Sequence, residues 1–298
     1  MNKKYFGIQI SIFALLIILA AWVLSACSLL GTNTTTEAAI VNPAGNSTEN
    51  LVEPAPAESQ APQPLVVTQV YAQVEVPAHS TGEASVVCPS GSVVLSGGYA
   101  SNSTMPVFTS EMYGNGWDVF GENTADVQIP LNAYAMCLQT ASLTSTMVYQ
   151  LGNLPANGSG STQVVCPEGS IVTGGGYVSS LLTLPFTSMV QGNGWVIANL
   201  NKTNSEAPVS VYSVCLSGII GTISTPFTQI TLAANASGVA AVGCPEGAVL
   251  VGGGFASRGL SMIYNSSMDE GSKQWTVYAQ DLGSGDMINS YAICLSQQ

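Results

Sequence analysis

Everything after about residue 65 is written three times over. Cys88, Cys166 and Cys244 lie 78 residues apart, and Cys137, Cys215 and Cys294 follow at intervals of 78 and 79. Each first cysteine opens the same string: CPSGSVVLSGGYA, CPEGSIVTGGGYV and CPEGAVLVGGGFA. Each copy then carries one tryptophan, Trp117, Trp195 or Trp275, and closes on AYAMCL, VYSVCL or YAICL. Self-similarity at a fixed period means one supersecondary unit repeated along the chain, its copies packed on one another. The units fall at residues 66–140, 141–218 and 219–298.

Inside a unit the hydrophobic period is two. Val70, Ala72, Val74 and Val76 alternate with Tyr71, Gln73 and Glu75, and Trp275, Val277 and Ala279 alternate with Thr276, Tyr278 and Gln280. That pattern specifies strands buried on one face. Val, Ile, Thr and aromatic runs bounded by Gly, Asn, Ser and Pro give roughly six short strands per copy. The predicted fold class is all-β: three tandem β-sandwich-like repeats in contact, with one disulfide each. About four residues separate a closing cysteine from the next strand, too few for a free hinge. Separate beads in contact and a pseudo-threefold assembly with a shared interior both satisfy that spacing.

The cysteines are seven, and an odd count in an exported chain needs an explanation. Setting Cys27 aside leaves six, and equal spacing singles out Cys88 with Cys137, Cys166 with Cys215, and Cys244 with Cys294. The Cys-Pro-x-Gly element reads as a strand end and a tight turn. The glycines that follow (Gly97 and Gly98; Gly174, Gly175 and Gly176; Gly252, Gly253 and Gly254) sit inside strand-like runs, where a missing side chain allows a bulge or the close approach of another backbone. No helix start, lysine or P-loop spacing follows them, so a phosphate cradle is disfavoured.

Lys3 and Lys4 precede an uncharged, apolar run over residues 5–24, which reads as an export signal or, alternatively, as a membrane-spanning helix. The run ends in Leu24-Ser25-Ala26-Cys27, which resembles the lipobox of bacterial lipoproteins. The resemblance implies cleavage before Cys27, lipid attachment to Cys27, and a chain held to the cell membrane on its extracytoplasmic side. Residues 1–27 are thus the expected lipoprotein signal with its lipidated cysteine. Residues 28–65, rich in Thr, Pro, Ala and Glu, read as a disordered linker.

Charge narrows the function. Only 7% of residues are charged, and beyond Cys27 there are 3 basic residues against 17 acidic ones. Nucleic acid is excluded as a partner, because phosphate neutralisation needs clustered Lys and Arg. His79 is the single histidine, and the second and third copies carry Asn157 and Asn235 at its position. A position shared with asparagine reads as a turn, not as a catalytic base. Carboxylate pairs for hydrolysis would have to come from Asp118, Glu122 and Asp126, or from Asp269, Glu270, Asp281 and Asp286. Asp118 becomes Val196 and Thr276 in the other copies, which favours solvated acids over catalysis. Oxygen-rich stretches 265–270 and 281–286 offer hard ligands for calcium but lack EF-hand or nonapeptide spacing, so no metal or other cofactor is expected.

The tryptophans suggest stacking on sugars, but one per unit at the head of a regular strand is more in keeping with a core anchor. Phe108, Tyr113, Phe186 and Tyr264, in the stretch after the glycine cluster, are the candidate binding residues, read as aromatic loop positions on a rigid scaffold. The expected role is a non-enzymatic surface or adhesion-type module binding glycan, protein or envelope polymer through several weak sites. The alternatives are a self-packing structural component of the envelope and an extracytoplasmic hydrolase with a carboxylate site.

Overall fold

The computed structural model describes residues 65–259 and 261–297. The signal, Cys27 and all but the last residue of the linker lie outside the described residues. Repeat 1 supplies β1 (Val67–Val76), β2 (Ser80–Val87), β3 (Ser92–Ala100), β4 (Val107–Tyr113), β5 (Gly116–Asn123) and β6 (Ile129–Gln139). Repeat 2 supplies β7 (Thr144–Leu154), β8 (Ser159–Val165), β9 (Ser170–Val178), β10 (Thr183–Val190), β11 (Gly194–Asn201) and β12 (Ala207–Ser217). Repeat 3 supplies β13 (Gly221–Ser224), β14 (Phe227–Leu232), β15 (Ser237–Gly243), β16 (Val249–Ser257), β17 (Ser261–Asp269), β18 (Gln274–Asp281) and β19 (Asp286–Gln297). Its first strand is split before Phe227 because Pro226 withholds a ladder donor. The fold is all-β, as the period-two pattern requires.

The pairing of these strands decides between the two arrangements. Each repeat forms two three-stranded half-sheets, and each half-sheet continues into a neighbouring repeat. The 1–3 sheet runs β1-β6-β3-β17-β18-β15 and the 1–2 sheet runs β2-β5-β4-β9-β12-β7. The 2–3 sheet runs β13-β19-β16-β10-β11-β8, with β14 also on β19. Repeat 1 joins 2, 2 joins 3 and 3 returns to 1, so the units form a closed pseudo-threefold ring, not beads touching at their surfaces. Ring closure also pairs six strand edges that separate units would leave open to aggregation.

The three junctions are copies of one another and short. Ala100 and Tyr99 face Asn265 and Ser266; Val178 and Tyr177 face Thr109 and Ser110; Ala256 and Phe255 face Thr187 and Ser188. A bulge precedes each, at Phe108, Phe186 and Tyr264. At the axis Tyr99, Tyr177 and Phe255 are buried together. Tyr99 donates to the Ile263 carbonyl at 3.2 Å and Tyr177 to the Val107 carbonyl at 3.3 Å, so each hydroxyl satisfies the bulge of a neighbouring repeat.

The glycine cluster serves this crossing. A β-carbon at Gly97, Gly175 or Gly253 would collide with Trp117, Trp195 or Trp275, whose indoles lie against those glycines. A β-carbon at Gly98, Gly176 or Gly254 would land on the carbonyl oxygen of Ser266, Ser110 or Ser188 in the adjoining repeat. The tryptophans are fully buried, and their indole N–H groups donate to Ser110, Ser188 and Ser266 Oγ at 2.9, 3.0 and 3.1 Å. They are core anchors, which removes them from any sugar-stacking role.

Each repeat is closed by its own disulfide: Cys88–Cys137, Cys166–Cys215 and Cys244–Cys294, with sequence separations of 49, 49 and 50. His79, Asn157 and Asn235 adopt φ of 52°, 49° and 59°, the left-handed turn geometry that asparagine tolerates well. Lys273 is also left-handed, at φ 54°, in the hairpin where the other copies place Gly114 and Gly192 at 58° and 60°. Lys273→Gly should therefore raise stability by about 1 kcal/mol, measurable as a higher urea midpoint at unchanged slope.

Candidate functional site

The outward faces of the three sheets carry a feature that recurs at one register. On the first and last strands of each repeat an aromatic pair faces solvent: Tyr71 with Tyr134, Tyr149 with Tyr212, and Phe227 with Tyr291. Ring centroids lie 5.9, 6.0 and 5.6 Å apart, each pair tilted by 35°. The first members are 65%, 61% and 58% exposed. Cross-strand aromatic pairs stabilise a sheet by about 0.2–1 kcal/mol, but smaller β-formers serve that purpose too. The next outward position on the same strands reads Gln73, Leu151 and Gln229, so the aromatic identity is kept where its neighbours drift. Alignment of the three copies at offsets 71, 149 and 227 would have disclosed these residues from sequence.

Beside the first pair lies a groove of about 400 Å3, formed where the half-sheets of repeats 1 and 3 cross. Gln69, Tyr71 and Tyr134 form one bank and Ser267, Thr276 and Tyr278 belong to the other. Asp269 and Glu270 also line it. The Ser272 hydroxyl, followed by the Ser272 and Gly271 amides, holds the Asp269 carboxyl below its usual pKa. That carboxylate is committed to its own turn, while Glu270 is exposed. Burial pushes the Tyr134 hydroxyl above its ordinary value, with Tyr71 and Glu270 adding to the shift.

The matching positions in the other sheets carry different chemistry. In the 1–2 sheet, Glu111 and Asp118 stand directly opposite each other on β4 and β5. Asp118 accepts a 2.6 Å hydrogen bond from Ser85 Oγ, and Tyr212 of repeat 2 hydrogen-bonds Glu111. Burial pushes Glu111 up to about 7, opposed by the Tyr212 hydrogen bond and reinforced by Asp118. In the 2–3 sheet the same two positions are Met189 and Val196. Thus one aromatic bank faces a neutral polar surface, an acidic pair or an apolar surface, depending on the sheet.

A raised folded-state pKa means the native state holds the Glu111 proton more tightly than the unfolded chain does. Its contribution to stability is present below pH 4.5 and is lost as pH rises through about 7. The full linkage of about 3 kcal/mol falls to about 1–2 once solvent screening in this open site is allowed for. Glu111→Gln should be neutral near pH 4.5 and stabilising by that amount at pH 8, read from urea midpoints at the two pH values.

The residues singled out from sequence are only partly gathered here. Phe108, Phe186 and Tyr264 lie in β4, β10 and β17 at the three bulges, half-buried, and so are strand residues instead of the loop residues expected. Phe108 packs on Phe120 at 6.3 Å and Tyr264 on Tyr278 at 6.0 Å, which sets them at the margins of the 1–2 and 1–3 aromatic surfaces. Tyr113 stands alone at a hairpin end, 71% exposed.

The oxygen-rich stretches also resolve differently. Positions 265–269 are strand, not loop. Asp281 accepts the amides of Asn235, Gly283 and Gly285, and Asp286 accepts those of Arg258, Gly259 and Met287 together with the Ser261 hydroxyl. Both carboxylates fasten turns in repeat 3. Among the described residues no three His, Cys, Asp or Glu side chains converge as a metal site. His79 and Asp126 meet at 2.8 Å on the open surface, where an ion pair contributes little.

No family model and no curated protein sequence matches this chain.

Proposed function

We propose that this chain is a lipid-anchored extracytoplasmic protein whose ring-shaped head binds an extended polymer or glycan through its three outer faces without transforming it. The observation that carries this reading is the solvent-facing aromatic pair at one register in all three repeats, paired at 5.6–6.0 Å. Aromatic faces on a rigid scaffold suit weak recognition at each site, and three joined sites multiply it through effective concentration. The lipobox-like Cys27 supplies the anchor and the linker supplies reach. The three disulfides fit an oxidising compartment.

The test uses the full lipidated chain on liposomes, with insoluble peptidoglycan, chitin and cellulose as probes. Tyr71→Ala, Tyr149→Ala and Phe227→Ala should each weaken retention on the polymer that binds, and the triple variant should lose about 100-fold or more of apparent affinity. Unfolding midpoints should fall by no more than the loss of about 0.2–1 kcal/mol per broken aromatic pair, leaving the head folded. Undiminished retention by the triple variant counts against the reading.

Glu111 opposite Asp118 favours a second reading, a hydrolase working on a bound polymer at the 1–2 sheet. Turnover of one of the same polymers, abolished by Glu111→Gln, would establish it; an inert parent protein would remove it.

A further inference from the structure

We infer that the groove between repeats 1 and 3 is a subsite for a neutral sugar chain, an assignment that rests on the polymer-binding reading and gives one of the three faces its ligand class. Its volume of about 400 Å3 lies within the usual span of small-molecule sites, about 300–1,000 Å3. Two aromatic rings from repeat 1, Tyr71 and Tyr134, and one from repeat 3, Tyr278, line it. Such rings pack against the C–H faces of pyranose rings.

Apart from the carboxylates of Asp269 and Glu270, the polar lining is uncharged. Gln69 lines the groove, and its Oε1 is a buried acceptor without a hydrogen-bond partner. The Ser267 hydroxyl donates to Asn265 Oδ1 at 3.1 Å, which assigns that oxygen as the acceptor, and Asn265, which also lines the groove, carries amide N–H donors beside it. A sugar hydroxyl donates and accepts, and so matches both. No lysine or arginine lines the groove while Glu270 does, which disfavours phosphates, sulfates and uronates. With Asp269 engaged by Ser272 and Gly271, a single free carboxylate remains, too little to make this a cation site. The position of Gln69 is Met147 in repeat 2 and Thr225 in repeat 3, so neither of the other faces repeats this set.

The inference is tested by calorimetry of the full chain in a non-glycosidic detergent, with cellohexaose, chitohexaose and choline chloride as probes. At least one hexaose should bind; Gln69→Leu should weaken it tenfold or more, and Val165→Ala, at an exposed position of β8 on the 2–3 sheet, should leave it within twofold. Binding of neither hexaose, binding of choline alone, or a hexaose affinity unchanged by Gln69→Leu overturns the assignment. Failure here with retention on insoluble polymer intact sinks the sugar subsite alone. Failure of both sinks the polymer-binding reading as well.

Discussion

Gly176→Ala is expected to cost the head about 3 kcal/mol or more, because the added methyl group would meet main chain, which has no rotamer to yield. The atom it would strike is the Ser110 carbonyl oxygen of repeat 1, at the junction where Tyr177 pairs with Ser110. Ser110 has little room to retreat, since its hydroxyl accepts the buried Trp117 indole N–H at 2.9 Å. Urea unfolding of the full chain should show the lowered midpoint in a single transition, because every sheet is shared between two repeats. Gly243→Ala is the control: there a β-carbon meets only the Gln274 side chain, at 3.4 Å, and the change should stay within about 0.5 kcal/mol. Equal midpoints for the two variants would mean that the junction between repeats 1 and 2 does not form in solution.

Removing the second staple should be at least as damaging. Cys166 and Cys215 close a loop with a sequence separation of 49. In the chain-entropy account such a loop stabilises by about 4 kcal/mol, comparable with the whole net stability of many small domains. Cys166→Ser with Cys215→Ser should therefore lower the urea midpoint strongly and expose residues 141–218 to proteolysis. Because β9 and β10 of this repeat close junctions on both sides, the loss should propagate to repeats 1 and 3. A double variant with the parent midpoint would show that the ring holds each unit without help from its crosslink.

Much of the local structure was legible because local chemistry fixes it. Alternation through Val70 to Val76 marked β1, one tryptophan per copy marked the core, and the interchange of His79 with Asn157 and Asn235 marked a turn. The disulfide pairing followed from equal spacing. The candidate site was less legible. Phe108, Phe186 and Tyr264 were found, but read as loop residues, because the bulge that turns them outward depends on a partner strand that sequence does not display. Tyr71 reads as part of the ordinary polar face of a strand, and nothing local distinguishes its counterparts Tyr149 and Phe227. Glu111 drew no attention, since its environment is made by Asp118 across a ladder and Tyr212 from another repeat.

Period and cysteine spacing alone determined a triplicated sheet-forming unit, each copy crosslinked within itself, because both act over tens of residues. Tertiary structure alone decided that the units close into a ring and that its faces differ. Every repeat carries the same two pairing edges, and which edge meets which neighbour is a matter of geometry. The groove that joins Tyr134 to Tyr278 exists only after the last repeat has returned to pair with the first.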